Sequence, residues 1–250
     1  MPDVLVLGGT GDARAVAAAL VDDGVDLVSS LAGRVQSPRL PVGEVRIGGF
    51  GGRDGLADYL RGNGVRVVVD ATHPFAARIT PNAVAACAAA GVAYLRVARP
   101  AWEPEPADRW TRVPDVNAAA TVVAARGGRV FLTTGRQDVG AFACVDDAWF
   151  LIRVVDAPDT ELPPHHELLR SRGPYTVESE RELLERHAID LLVTKNSGGP
   201  LTSAKLRAAA ERGIEVVVVD RPSEPTSIET APSADDAAAR VRMLLQRYRP

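Results

Sequence analysis

Cysteine is nearly absent from this chain of 250 residues: the two that occur, Cys87 and Cys144, lie in unrelated segments with neither a CxxC nor a Cys/His spacing. No disulfide framework and no zinc site can be built on that spacing, and no metal is expected; a reducing, cytoplasmic setting is the simplest expectation. Lysine is almost missing as well, Lys195 and Lys205 being the only two among 29 basic residues. A dominant charge of one sign is also lacking, since 29 basic and 32 acidic residues leave a formal charge of −3. No long-range field therefore draws the chain to nucleic acid or to a membrane surface. No apolar run approaches the roughly 18 residues of a membrane span, and the opening Met-Pro-Asp-Val has no basic leader region. What is present is ordinary globular composition, 46% hydrophobic and 24% charged, enough to bury a core in one or two domains.

Short β-branched runs alternate with alanine-rich helical stretches, the pattern of a parallel sheet with crossover helices. Strands are predicted at Asp3 to Leu7, Val25 to Ser29, Glu44 to Ile47, Val65 to Val69 and Ala93 to Val97, with helices at Ala13 to Val21, Arg53 to Arg61 and Phe75 to Ala90. These five strands make one doubly wound unit. Arg99 to Arg109 carries three prolines and can be neither helix nor central strand, so it reads as a linker. The rhythm then restarts, with strands predicted at 110–113, 129–133, 148–154, 189–194 and 214–220, helices at 115–125, 177–186 and 203–212, and a closing helix from Ser233 to Tyr248. The expected architecture is α/β, two doubly wound domains, residues 1–98 and 99–250, with largely parallel sheets.

The first strand runs into Gly8-Gly9-Thr10-Gly11-Asp12-Ala13-Arg14 and then a helix, the place where dinucleotide folds hold a pyrophosphate on backbone amides and a helix N-terminus. Arg14 stands where the third fingerprint glycine would be, and a tight turn without ligand has the same appearance. After the second strand the chain reads Ser29-Ser30-Leu31-Ala32-Gly33-Arg34, hydroxyls and a cation where an NADH site would carry a carboxylate. That favours the 2′-phosphate of NADPH, unless Arg34 is only a solvated loop residue. Gly48-Gly49-Phe50-Gly51-Gly52 and Asp70-Ala71-Thr72-His73-Pro74-Phe75 follow the next two strands, at ends where open sheets bind ligands. Gly49 and Thr72 are assigned to the cofactor, and Phe50 and His73 to a flat substrate. His73 could be an acid, an electrophilic contact or a helix-entry residue.

In the second half, Thr133-Thr134-Gly135-Arg136 and Thr194-Lys195-Asn196-Ser197-Gly198-Gly199 each follow a predicted strand. Hydroxyls, amides and free backbone N–H groups at two strand ends suit an anionic ligand, so Thr134, Asn196, Ser197 and Gly198 join Lys195 and Arg136 as substrate candidates. Lys195 could instead form a salt bridge between domains. No Ser-His-Asp set is evident, and no catalytic residue is assigned, with His73 and Lys195 as the candidates.

With these blocks in order, and with Leu95-Arg96, Arg99-Pro100-x-Trp102, Val130-Phe131-Leu132, Arg172-Gly173-Pro174-Tyr175, Thr202 and Lys205, the chain resembles the precorrin-6A reductase family of cobalamin biosynthesis as far as about Pro222. The resemblance implies two Rossmann-like domains with an interdomain cleft, residues 1–98 binding the dinucleotide and 99–250 the substrate, and NADPH-dependent reduction of a conjugated tetrapyrrole, precorrin-6A, to precorrin-6B, with hand-off to other enzymes of corrin synthesis as a further implied partnership. The substrate is a polycarboxylate, so Arg99, Arg136, Arg172 and Lys195 are candidates to bind its side chains. A methyltransferase with a Rossmann-like domain, or a non-catalytic nucleotide- or tetrapyrrole-binding protein, are the competing readings.

Overall fold

A computed structural model describes residues 1–35 and 37–247, and the chain divides into two compact units. One unit contains Met1–Pro100 together with the described residues from Pro222 onward; the other is Ala101–Arg221. This corrects the expected boundary, because the end of the chain returns to the first unit. None of the helices among the described residues is long and apolar enough to cross a membrane.

The first unit holds strands β1 (Val4–Leu7), β2 (Leu27–Leu31), β3 (Glu44–Ile47), β4 (Val67–Asp70) and β5 (Ala93–Val97), with helices α1 (Gly11–Asp22), α2 (Gly52–Gly62) and α3 (Ile79–Ala90). The second holds β6 (Arg109–Val113), α4 (Val116–Arg126), β7 (Gly128–Leu132), β8 (Ala148–Val154), β9 (His166–Arg170), α5 (Val177–Arg186), β10 (Leu191–Lys195), α6 (Ala204–Glu211) and β11 (Glu215–Val219). The return to the first unit adds β12 (Thr230–Ala231) and α7 (Ala234–Arg247), Tyr248 of the predicted closing helix lying outside the described residues.

Sheet order in the first unit is β12-β5-β4-β1-β2-β3, every pairing parallel. That is the doubly wound order, with the chain reversing direction between β1 and β4. The second unit repeats the plan as β6-β11-β10-β7-β8-β9, also parallel throughout, reversing between β7 and β10. The sixth place of the first sheet is filled by β12, from the segment that returns after the second unit, and that of the second sheet by β6, the strand that opens that unit. β9 and β12 were not predicted: β9 is exposed at an edge and β12 is two residues long, so neither carries a buried apolar run.

Period-two alternation places β1 between two cores. Val4 and Val6 pack with Val16 and Leu20 of α1 and with Ala237, Ala238 and Val241 of α7, while Leu5 and Leu7 pack with Leu56 and Leu60 of α2 and Ala83 and Ala86 of α3. In the second unit Phe131, Leu151, Leu192 and Val218 bury one sheet face under Leu184 of α5 and Leu206 of α6. Both sheets are thereby rigid, and their C-terminal strand ends are fixed points from which loops can present ligand-binding groups.

Candidate functional site

In the first unit the reversal point is formed by the loops after β1 and β4. Thr10 joins them: its hydroxyl donates to the Ala71 carbonyl at 2.6 Å and accepts the Ala13 N–H at 3.0 Å, which caps α1. Gly9 adopts φ +108, a conformation costly for other residues, and a Cβ built there meets nothing within 4 Å. The turn therefore presents open backbone at the N-terminus of a 12-residue helix. Arg14 lies in the first turn of that helix. Arg99 belongs to this unit and not to the second: it follows β5 closely, and its guanidinium binds Asp12 of the same helix turn at 2.7 Å. This ion pair fixes Arg99, a candidate for substrate carboxylates, beside the start of α1.

The loop after β4 rests on a buried polar network. Asp70, fully buried, accepts hydrogen bonds from the Thr72 N–H and hydroxyl (3.0 and 2.7 Å), the Thr80 hydroxyl (2.7 Å), the Tyr94 hydroxyl (2.9 Å) and Arg96 (3.2 Å). Arg96 also donates to the Thr72 carbonyl at 3.1 Å and to Glu224, which arrives with the returning chain, at 3.0 and 2.9 Å. Burial and then the Asp70 charge raise the Tyr94 phenol well above its usual range, so it stays a donor. Thr72, assigned to the cofactor, is thus held from below. His73 is turned into its own loop, with Nδ1 accepting the Phe75 N–H at 3.2 Å, so a neutral ring carries its proton on Nε2.

Ser29 and Ser30 lie inside β2, because that strand extends to Leu31, two residues beyond its predicted end. Ser29 is buried, with no hydrogen-bond partner for its hydroxyl among the described residues. Ser30 accepts a hydrogen bond at 2.8 Å from Arg46 of β3, a residue missed in the sequence. Arg46 also reaches the Gly48 and Gly49 carbonyls, each at 3.1 Å, and its guanidinium lies 3.8 Å from the centre of the Phe50 ring. Phe50 meets Tyr59 edge-on. With one face under Arg46 and an edge contact to Tyr59, Phe50 is part of the wall that orders this loop. Arg34 is exposed in the loop after β2.

The second unit's reversal point joins the loops after β7 and β10. Lys195 forms an ion pair with Asp138, so its salt bridge lies inside this unit and links the two loops. Thr133 donates to the Val193 carbonyl at 3.0 Å, whereas the buried Thr134 hydroxyl has no partner among the described residues. Arg136 approaches the exposed Asp159 at 3.5 Å, and Arg172 is half-buried. The Asn196 side chain is taken: Oδ1 accepts the Trp102 N–H at 2.8 Å and Nδ2 donates to the Trp102 carbonyl at 3.0 Å, which corrects its assignment to substrate. Ser197 gives its carbonyl to Arg221 at 3.2 Å, and Gly198 at φ +68 turns the chain out. Trp102 closes the clamp by donating its indole N–H to the Gly199 carbonyl at 2.9 Å.

Below this loop lies a buried charge cluster. Arg153 of β8 grips both oxygens of Glu180 at 2.5 and 3.2 Å and sits 3.8 Å from the Tyr175 ring centre. Lys205 donates to the Thr202 carbonyl at 2.7 Å, 5.0 Å from the Trp102 ring centre. Burial pushes its ammonium down to about 7, Arg153 adds to the shift and Glu180 opposes it. An unfolded lysine holds its proton to about 10.5, so between these values the unfolded chain binds the extra proton. Stability from this group rises with pH across that window and is flat below it. Lys205→Met removes the dependence. Urea titrations at about pH 6 and about pH 9 should show wild type gaining on the variant by about 1 to 2 kcal/mol at the higher pH; an unchanged difference would contradict the buried ammonium.

Two doubly wound parallel sheets, one with a dinucleotide-type glycine turn capping a helix and the other with hydroxyls and cations at its reversal point, define a Rossmann-like two-unit protein. A family model described as precorrin-6x reductase CbiJ/CobK matches residues 3–243. The precorrin-6A reductase of Rhodococcus erythropolis is 52% identical over 248 residues, 99% of this chain and 100% of the relative. That of Mycobacterium tuberculosis strain H37Rv is 53% identical over 239 residues, 95% and 96% of the two chains. A solved structure, CobK precorrin-6A reductase, superposes with a TM-score of 0.92 at 42% identity, covering 98% of this chain and 97% of its own. The chain belongs to the precorrin-6x reductase CbiJ/CobK family, and it is an oxidoreductase.

Proposed function

We propose that this protein reduces the precorrin-6A macrocycle to precorrin-6B in cobalamin biosynthesis, with NADPH as the reductant. The observation that carries the reading is the turn Gly8 to Gly11 at the capped start of α1, open above Gly9, in a chain of this family. The residues present fit a dinucleotide: backbone amides of Gly8, Gly9, Thr10 and Gly11 with the helix N-terminus suit a pyrophosphate, and Arg14 adds a cation nearby. The loops at Gly49 and Thr72, on neighbouring strand ends, would flank the rest of the cofactor. When bound, NADPH supplies the hydride that the conjugated macrocycle accepts.

The chain's own part is to bind, orient and charge-balance. Arg136, Arg172 and Lys195, with the Thr134 hydroxyl and the backbone at Ser197 and Gly198, serve the carboxylates of the tetrapyrrole from the second unit. The test is anaerobic incubation of the protein with enzymatically made precorrin-6A and NADPH, following macrocycle absorbance and NADPH loss together. Stoichiometric NADPH binding without turnover would instead favour a binding protein.

Lys195→Ala should raise KM for precorrin-6A about ten- to a hundredfold, the size of one charge-assisted contact, and leave the Kd for NADPH unchanged. The same change strips Asp138 of its partner. A Lys195→Ala, Asp138→Ala double variant separates the two causes, since recovery of KM there would show that Lys195 acts by neutralising Asp138. Weakened NADPH binding with a normal KM would reassign Lys195 to the cofactor.

A further inference from the structure

We propose that Arg46 is the residue that reads the 2′-phosphate of NADPH, a specificity role that rests on the NADPH reading above. Arg46 and Ser30 are register partners near the C-terminal ends of β3 and β2, so their side chains share a face of the sheet. In doubly wound sheets the end of the second strand is where the adenosine ribose is recognised. The position is therefore right for a residue that separates the two nicotinamide cofactors.

The bonding of the guanidinium is incomplete in a particular way. Nη1 donates to the Ser30 hydroxyl and the Gly48 carbonyl, and Nη2 donates to the Gly49 carbonyl. Of five N–H groups, Nε–H and one on Nη2 have no partner among the described residues, which leaves donors on two nitrogens for an oxyanion. Every acceptor already bound is neutral. Elsewhere in the unit Arg53, Arg61, Arg66, Arg96 and Arg99 each have a carboxylate partner, whereas none lies within ion-pair distance of Arg46 among the described residues. A half-buried cation whose charge is uncompensated is a site for an anion.

The surroundings hold that edge in place and leave it room. Phe50 lies under the guanidinium plane at 3.8 Å and Tyr59 at 5.2 Å, so the fork is fixed by stacking as well as by three hydrogen bonds. A Cβ built at Gly48, Gly49, Gly51 or Gly52 of the adjoining loop meets nothing within 4 Å, so the backbone of this loop is open to a ligand. Arg34, the sequence candidate for the same phosphate, is on the exposed loop after β2.

The test uses the adenosine halves of the two cofactors, so it needs no turnover. Wild type, Arg46→Gln, Arg46→Lys and Arg34→Ala are titrated with 2′,5′-ADP and with 5′-AMP by calorimetry. Wild type should prefer 2′,5′-ADP; Arg46→Gln should lose about ten- to a hundredfold of that preference with 5′-AMP affinity unchanged, and Arg46→Lys should fall between. Equal weakening of both ligands by Arg46→Gln would mean that Arg46 only shapes the loop, and would overturn the proposal. Loss of preference in Arg34→Ala with Arg46→Gln unaffected would overturn it in favour of Arg34. No preference in wild type would sink the NADPH reading itself, and the role of Arg46 with it.

Discussion

Arg96→Met should destabilise the first unit by about 3 to 5 kcal/mol, the cost of breaking a buried ion pair. Arg96 is 1% exposed and Asp70 is 0% exposed, and their charges lie 3.2 Å apart. Methionine preserves much of the side-chain volume but leaves the Asp70 carboxylate in an apolar interior, with three hydroxyls and one N–H but no cation. It also releases the Thr72 carbonyl and Glu224, so the loop after β4 and the returning chain loosen together. Urea unfolding followed by circular dichroism measures the loss, with two transitions allowed for because the chain forms two units. An Arg96→Met, Asp70→Leu double variant should recover part of the stability, since it removes the orphaned charge. A cost below about 1 kcal/mol for the single variant would show that Asp70 does not need its cation.

Gly9→Val should abolish cofactor binding while the protein stays folded. Valine at φ +108 is strained by about 1 to 3 kcal/mol, and its branched side chain would project into the open space over the turn, where a pyrophosphate must approach the backbone. The expected loss in NADPH affinity is at least about a hundredfold, or about 2.7 kcal/mol. Circular dichroism and fluorescence titration of NADPH separate unfolding from lost binding. A folded variant that binds NADPH normally would place the cofactor site elsewhere.

Strands β1, β4, β10 and β11 were legible because each is a Val- or Leu-rich run buried on both faces. The ends of β3, β5, β8 and α5 fall where hydrophobic patterning puts them. β2 runs two residues further than expected because Ser30 is a polar residue inside a buried strand, and its hydroxyl reads as the start of a loop. The helix expected from Phe75 begins at Ile79, since residues 73 to 77 are taken up by turns over the Asp70 network. Arg96 did leave a trace, a lone charge in the otherwise apolar run Ala93–Val97, which in a buried strand implies a partner. The identity of that partnership, with Glu224 lying 128 residues away, could not be read from spacing.

Local pattern thus determined by itself the α/β class, the parallel strands and the glycine turn at α1. These depend on periodicity, turn chemistry and residue order, all properties of neighbouring residues in the chain. Tertiary structure alone decided which unit owns the end of the chain, which strand fills the sixth place in each sheet, and which side chains are already taken. Arg99 is claimed by Asp12, Asn196 by the Trp102 backbone and Lys195 by Asp138, while Arg46 retains two N–H groups without a partner among the described residues. A side chain's availability depends on acceptors brought within about 3 Å by strand pairing, and sequence separation carries no information about that distance.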